Sequence, residues 1–411
     1  MRAAKKALYG LLEWVDARFP LTELWNEHAA KYYAPKNFNF WYYFGSLALV
    51  VLVIEIVTGI WLTMSYKPDA GLAFGSVEYI MRDVKWGWLL RYLHSTGASA
   101  FFLIIYLHMF RGLLYGSHKR PREFLWITGA SLFFLLMAQA FTGYLLPWGQ
   151  MSFWAAQVIT ALFGAIPYIG ETLVEWIRGD YVVSDITLNR FFAFHVIAIP
   201  LVLIGFVVIH IMALHKVGSN NPDGVEIKYA KDAQGIPRDS VPFHPYYTVK
   251  DLVGIVVFLI LFSIVVFFMP ELGGLFLEHD NFVPANPLST PEHIKPAWYL
   301  TPFYAILRSI PNKLLGVIAL GASVFLFFLL PWLDRSPVKS IRYRGVYYRT
   351  ALGIFVVSFL VLGYLGTQPA VGVMTRLAQV FTGFYFAFFL LMPIYTKLDK
   401  NKPVPERVSY P

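Results

Sequence analysis

Eight stretches of this sequence are long and apolar enough to cross a lipid bilayer, and that alone removes every soluble architecture. A helix rises about 1.5 Å per residue, so roughly twenty apolar residues span the hydrocarbon layer. The qualifying runs are Trp41 to Met64, Trp88 to Leu114, Phe124 to Leu146, Phe191 to Leu214, Leu252 to Met269, Leu314 to Leu330, Tyr347 to Leu365 and Gly372 to Ile394. They are numbered first to eighth. With 57% hydrophobic and 14% charged residues among 411, the chain has too little polar surface to cover such a core in water. The predicted class is an all-α integral membrane protein, because a helix satisfies its own backbone hydrogen bonds in lipid.

Basic residues orient the spans. Lys119, Arg120 and Arg122 follow the second helix, Lys216, Lys228, Lys231 and Arg238 the fourth, and Arg335, Lys339, Arg342 and Arg344 the sixth. Those loops, and with them both termini, are expected in the cytoplasm. The opposite loops are longer, and the one after the third helix carries Glu171, Glu175, Asp180 and Asp185 against Arg178. Two outer stretches, Leu146-Pro147-Trp148-Gly149 and Pro296-Ala297-Trp298-Tyr299, cannot be ordinary helix, and broken backbone at membrane depth usually lines a site. The net charge of +9 sits between apolar runs, which argues for membrane orientation and against nucleic-acid binding. Before the first helix, Leu8, Leu11, Leu12, Trp14 and Val15 alternate at helical spacing with Lys5, Lys6, Glu13, Asp16 and Arg18. This pattern predicts a helix lying in the membrane interface, without the apolar stretch and cleavage site of a signal peptide.

The chain has no cysteine, which excludes disulfides, iron–sulfur ligation and covalent haem attachment. Histidine is the ligand that remains. Of ten histidines, His94 and His108 lie within the second helix and His195 and His210 within the fourth. An interval of fourteen places the first two near one face, about 21 Å apart, and an interval of fifteen leaves the other two within about 60° of a common face. Two facing helices then offer a histidine pair at each of two depths, which suits the two axial positions of haem iron. A packed core or a transporter's proton relay is the plainer use of a buried histidine. Four at matched depths favour ligands, since buried polar groups need partners.

Arg91, three before His94, and Arg111, three after His108, share their histidines' faces and suit haem propionates; snorkelling is the alternative. Gly45 and Gly59 on the first helix are fourteen apart, as are Gly129 and Gly143 on the third. Glycine permits the close backbone approach that a flat ring requires, although tight helix packing also uses it. The first four helices are thus expected to form a di-haem four-helix bundle.

At this point the residues resemble cytochrome b of the cytochrome bc1 complex, the quinol:cytochrome c oxidoreductase of respiratory membranes. The resemblance covers nearly the whole chain. It rests on Arg91-Tyr92-Leu93-His94, His108 with Arg111-Gly112, Gly143-Tyr144-Leu145-Leu146-Pro147-Trp148-Gly149-Gln150, Arg190-Phe191-Phe192-Ala193-Phe194-His195, His215 with Gly218-Ser219-Asn220-Asn221-Pro222, and Phe243-His244-Pro245-Tyr246-Tyr247. It implies two non-covalent b haems: the low-potential one on His94 and His195 near the outer face, the high-potential one on His108 and His210 near the inner. It also implies two quinone sites, with ubiquinone expected. Tyr144 and Tyr299, with Pro296 and Trp298, match the outer quinol-oxidising site, and His215, Ser219 and Asp251 the inner quinone-reducing site. The implied partners are a Rieske iron–sulfur protein, cytochrome c1 and a second copy of the chain.

Three departures stand out. The family's Pro-Glu-Trp-Tyr reads Pro296-Ala297-Trp298-Tyr299, so the glutamate usually proposed to accept the quinol's proton is absent, and Glu292 or His293 is the expected substitute. The interval between His195 and His210 is one longer than in mitochondrial relatives; with the polar insert from Val225 to Val241 it points to a bacterial inner-membrane protein. Glu55 is an acid inside the first helix, four before Gly59, where Gln139 stands before Gly143; a structural role is expected for it. The expected organisation is an interfacial segment at 1–37, the bundle with outer loop helices at 38–222, a connecting loop at 223–247, a four-helix domain at 248–396 and a tail at 397–411. Three readings compete. A b6f-type protein is usually divided into two chains, a histidine-relay transporter binds no chromophore, and a di-haem anchor subunit lacks the two broken outer loops.

Overall fold

Each apolar run becomes a helix whose ends are set by local chemistry. A computed structural model describes residues 2–409; Met1, Tyr410 and Pro411, at the ends of the expected interfacial segment and tail, lie outside the described residues. The eight spans run Phe40–Thr63, Gly87–Tyr115, Glu123–Leu145, Asp185–Val217, Phe243–Phe268, Lys313–Leu333, Val346–Gly366 and Gly372–Leu390. The second span ends at Gly116, in the left-handed region at φ +67°. A Cβ at Gly116 would stand 2.7 Å from the Lys339 carbonyl, so glycine also admits the loop after the sixth span.

Asp185–Ala193, Phe194–Ala198 and Ile199–Val217 form one continuous fourth span. It starts at Asp185, before the apolar run that begins at Phe191, because polar residues stabilise its first turn. The Thr187 hydroxyl accepts from the Ser184 N–H at 3.0 Å and donates to the Arg178 carbonyl at 2.8 Å. Hydropathy does not register such a turn. Phe194–Ala198 is a π turn, in which the Ile199 N–H reaches back to Phe194. Pro200 follows and has no N–H, so the His195 carbonyl lacks a helical donor; Gln139 Nε2 of the third span supplies one at 2.8 Å. A π turn takes in one residue more than an α turn. This accommodates the interval of fifteen between His195 and His210.

The first span packs along the second and the third along the fourth, while the second and fourth, which carry the histidines, do not pack closely on each other. A slot remains between them. The third span joins the second half of the chain through Trp126, whose Nε1 donates to the Phe327 carbonyl at 2.7 Å, and Tyr348 closes on the Leu113 carbonyl at 2.8 Å. The last three spans share a core with the short helix Thr301–Ser309, centred on Ile306, Leu330, Tyr348, Tyr385 and Phe389. In contrast, only 6% and 11% of the apolar windows of the fourth and fifth spans are buried, so these two face lipid or other subunits. Short helices Ala73–Arg82, Gln150–Leu162 and Gly170–Arg178 cover the face opposite the basic loops. On the basic face, Tyr33–Pro35 pairs antiparallel with Ser240–Pro242 and ties the N-terminal segment to the connecting loop.

Candidate functional site

The four intramembrane histidines meet as two pairs. His94 and His195 have ring centres 6.1 Å apart, and His108 and His210 6.4 Å apart. Two imidazoles bound to one metal at about 2 Å per bond have ring centres roughly 6 Å apart, so each gap fits a single metal ion. Among the described residues no three His, Cys, Asp or Glu side chains converge as a metal site. A metal held by two imidazoles must therefore bring its other ligands with it, as the iron of a porphyrin does.

Hydrogen bonds settle which nitrogen points into the gap. Thr58 Oγ1 donates to the Ile54 carbonyl at 2.6 Å and so accepts from His94 Nδ1 at 3.0 Å. Thr128 repeats this one level away, donating to Leu125 at 2.9 Å and accepting from His210 Nδ1 at 3.0 Å. His195 Nδ1 donates to the Gln139 carbonyl at 2.9 Å. In all three the Nδ1 proton is committed, which leaves the Nε2 lone pair for iron. Spacing alone did not reveal these partners, although Thr58 and Thr128 each immediately precede one of the matched glycines.

Each matched glycine lies under one histidine ring. A Cβ would stand 3.4 Å from His108 Cε1 at Gly45, 3.3 Å from His94 Cε1 at Gly59 and 3.1 Å from His210 Cε1 at Gly129, and at Gly143 it would collide with the His195 ring. The glycines thus make room for the imidazoles themselves. Arg111 is half-buried with its Nε enclosed and unpartnered; its Nη1 donates to Ser117 Oγ at 3.3 Å and its Nη2 lies 3.3 Å from His108 Nδ1. Because arginine only donates, that contact suits an Nδ1 lone pair, opposite to the tautomer iron binding requires; an anionic group in the slot would draw the guanidinium away. Arg91 makes no side-chain hydrogen bond or ion pair among the described residues. Arg91 and the Nε of Arg111 thus have donors left for carboxylates such as propionates.

The two broken outer loops are sewn together. Gln150 N–H donates to Val283 at 3.0 Å, Ala285 N–H to Trp148 at 3.0 Å, and Asn281 Nδ2 to the Tyr144 hydroxyl at 3.0 Å. Tyr299 is buried and stacks on Phe102 at 3.9 Å, and Trp298 Nε1 donates to Ser99 at 3.1 Å. Glu292 and His293 lie exposed on the loop surface. A different acid comes close: Glu278 is within electrostatic reach of Tyr144 and pairs at 2.8 Å with Lys295, two residues before Ala297. Sequence spacing gave no signal for it, since it depends on how the loop folds back.

On the basic face, Tyr32 stacks on His215 at 4.5 Å, with its hydroxyl 3.4 Å from Ser219. Burial raises the proton affinity of the Tyr32 phenol. Asp251 faces Ser46 of the first span. Tyr32 was not among the expected site residues, because it belongs to the interfacial segment and is brought in by the short ribbon.

A helical membrane protein with paired histidines at two depths is of the class of haem-bearing electron carriers. Residues 29–218 match the family described as Cytochrome b/b6/petB, and residues 284–386 match Cytochrome b(C-terminal)/b6/petD. A cytochrome b of Allochromatium vinosum is 63% identical, aligned over 97% of this chain and 98% of that one. A cytochrome b of Rickettsia typhi is 49% identical over 97% of each. A solved chain of a hyperthermophilic respiratory complex III superposes with a TM-score of 0.87 at 41% identity, covering 94% of this chain and 99% of that one. The chain belongs to the cytochrome b family, of the bc1 type found in respiratory complex III. Membership implies haem b binding and membrane electron transfer in the respiratory chain, within a multi-subunit complex.

Proposed function

We propose that this chain holds two b haems, the lower-potential one between His94 and His195 and the higher-potential one between His108 and His210, and joins quinol oxidation on the outer face to quinone reduction on the inner. The observation that carries the reading is the pair of imidazole gaps, 6.1 Å and 6.4 Å, each at the span of one six-coordinate iron. Bound there, haem supplies a reversible one-electron centre at each depth. Thr58, Gln139 and Thr128 hold the imidazoles in the ligating tautomer, and Arg91 and Arg111 neutralise the propionates.

At the outer site Tyr144, Pro296, Trp298 and Tyr299 position quinol. With alanine at Ala297, its second proton needs another base. Glu278 is better placed for this than Glu292 or His293, being paired beside that position. Slower quinol oxidation in Glu278→Gln, with Glu292→Gln and His293→Ala at the wild-type rate, is the expected outcome; the reverse order would return the role to the exposed pair. At the inner site His215, Ser219 and Asp251 bind quinone and deliver protons, a task suited to imidazole near neutral pH.

The basic face is then cytoplasmic, both termini lie on it, and the protein is multi-pass in a bacterial inner membrane. Its electrons leave through a Rieske protein and cytochrome c1 in a complex that contains two copies of this chain, with ubiquinone as the quinone. A reduced-minus-oxidised spectrum with a haem count tests the central claim: two b haems per chain are expected, and a colourless protein would end it.

A further inference from the structure

The inner site is reached by a segment that belongs to no membrane span. The N-terminal segment leans on the connecting loop at two places before the ribbon: Trp25 meets His244 edge to face at 5.1 Å, and the Tyr32 carbonyl accepts from the Phe243 N–H at 2.8 Å. The paired strands continue that seam, from Tyr33 opposite Pro242 to Pro35 opposite Ser240. The backbone of Tyr32 is therefore held apart from any contact its ring makes.

That ring touches two of the three residues assigned to the inner site. It lies within 9° of parallel to the His215 imidazole at 4.5 Å, and its hydroxyl stands 3.4 Å from Ser219 Oγ. Phe243 also packs on the phenol, edge to face at 6.0 Å. His215 belongs to the last turn of the fourth span, where Lys228 Nζ of the polar insert donates to its carbonyl at 3.3 Å. Lys228 thus holds the backbone of His215, and Tyr32 holds its ring.

An imidazole hydrogen-bonds in its own plane, whichever nitrogen carries the proton. Whatever sets that plane also sets where a quinone carbonyl can be bound. A stacked aromatic ring does this without occupying either nitrogen.

We infer that Tyr32 is a positioning residue of the inner quinone site: its phenol, stacked on His215 and lying beside Ser219, holds the imidazole plane in the orientation that binds a quinone carbonyl. The inference rests on the reading that His215, Ser219 and Asp251 form that site. It gives the N-terminal segment, which hydropathy assigns to the membrane interface alone, a part in quinone binding.

The test uses membranes carrying the assembled complex with the high-potential haem reduced beforehand, and follows its oxidation by added short-chain ubiquinone at varied concentration. Tyr32→Leu keeps apolar bulk but removes the stack. It is expected to retain two haems and to raise the half-saturating quinone concentration about tenfold, with the limiting rate within about twofold of wild type. Tyr32→Phe keeps the stack and loses only the hydroxyl, so its half-saturation should lie within about threefold of wild type. An unchanged half-saturation in Tyr32→Leu, a Tyr32→Phe variant as weak as Tyr32→Leu, or loss of the high-potential haem from Tyr32→Leu would each overturn the inference. A wild-type haem that added quinone does not oxidise would instead sink the reading of the inner site itself.

Discussion

At Gly143 and Gly45 the same residue type does the same job with different tolerances. A Cβ on Gly143 collides with the His195 ring, whose own position is fixed by Gln139 through its Nδ1 and its carbonyl. The ring cannot retreat. A Cβ on Gly45 would stand 3.4 Å from His108 Cε1, at the edge of ordinary contact. Gly143→Ala is therefore expected to lose the outer haem and retain the inner one, whereas Gly45→Ala keeps both. Haem content and the reduced-minus-oxidised spectrum of the two variants check this. Equal behaviour would mean that the glycines serve helix packing and not the imidazoles. The contrast was hidden from the sequence, where Phe44 precedes Gly45 and threonine precedes the other three, and neither tells how near each ring lies.

Helical spacing made the spans, the two histidine depths and the glycine intervals legible, because a period of 3.6 residues fixes direction and height together. What spacing could not supply was any contact that depends on a break in the period. The π turn at Phe194–Ala198 is one, and the fold-back of the outer loop that brings Glu278 beside Lys295 is another. The expectation that an interval of fifteen is merely tolerated understates it: the fourth span takes up the extra residue where Pro200 already interrupts the ladder. Deleting Ile197 should convert the π turn to an α turn, leave both histidines on one face and preserve two haems. The His195 carbonyl would then face Pro200 four residues on, still in need of Gln139. Inserting an alanine after Leu203, where the helix is regular, should swing His210 by about 100° and lose the inner haem. Spectra of the two variants separate these outcomes, and loss of both haems from the deletion would show that the π turn itself is required.

Across the whole molecule, the basic residues that orient the spans are also counter-ions in a buried lattice on that face. Asp334 accepts from His118 at 2.8 Å and Arg344 at 2.5 Å, with Lys119 at 3.3 Å, and so joins the loop after the second span to the one after the sixth. Asp223 binds Asn37 at 3.0 Å, Arg342 at 3.0 Å and Ser409 at 2.8 Å, drawing both ends of the chain onto the same face. Lys36 and Arg407 both hold Asp239, and Arg122 and Lys339 both hold Glu226. Burial alone would raise the proton affinity of Asp334, but Arg344, His118 and Lys119 together hold its carboxyl well below the usual range. A depressed carboxyl contributes stability that is present above its ordinary value, about pH 4, and is lost as pH falls toward the folded-state value. Burial also holds His118 below the ordinary imidazole range, against the pull of Asp334. The unfolded chain gains that proton near pH 6.5 while the folded chain does not, so acid weakens the fold through this group as well. Asp334→Asn leaves Arg344 buried without its counter-ion and should cost about 3 kcal/mol or more, the usual penalty for breaking a buried pair. Thermal loss of the b-type spectrum in isolated membranes measures it. The variant should melt lower at pH 7, and the gap to the wild type should narrow below about pH 4; a gap that is constant down to pH 3 would assign the loss to packing instead of charge.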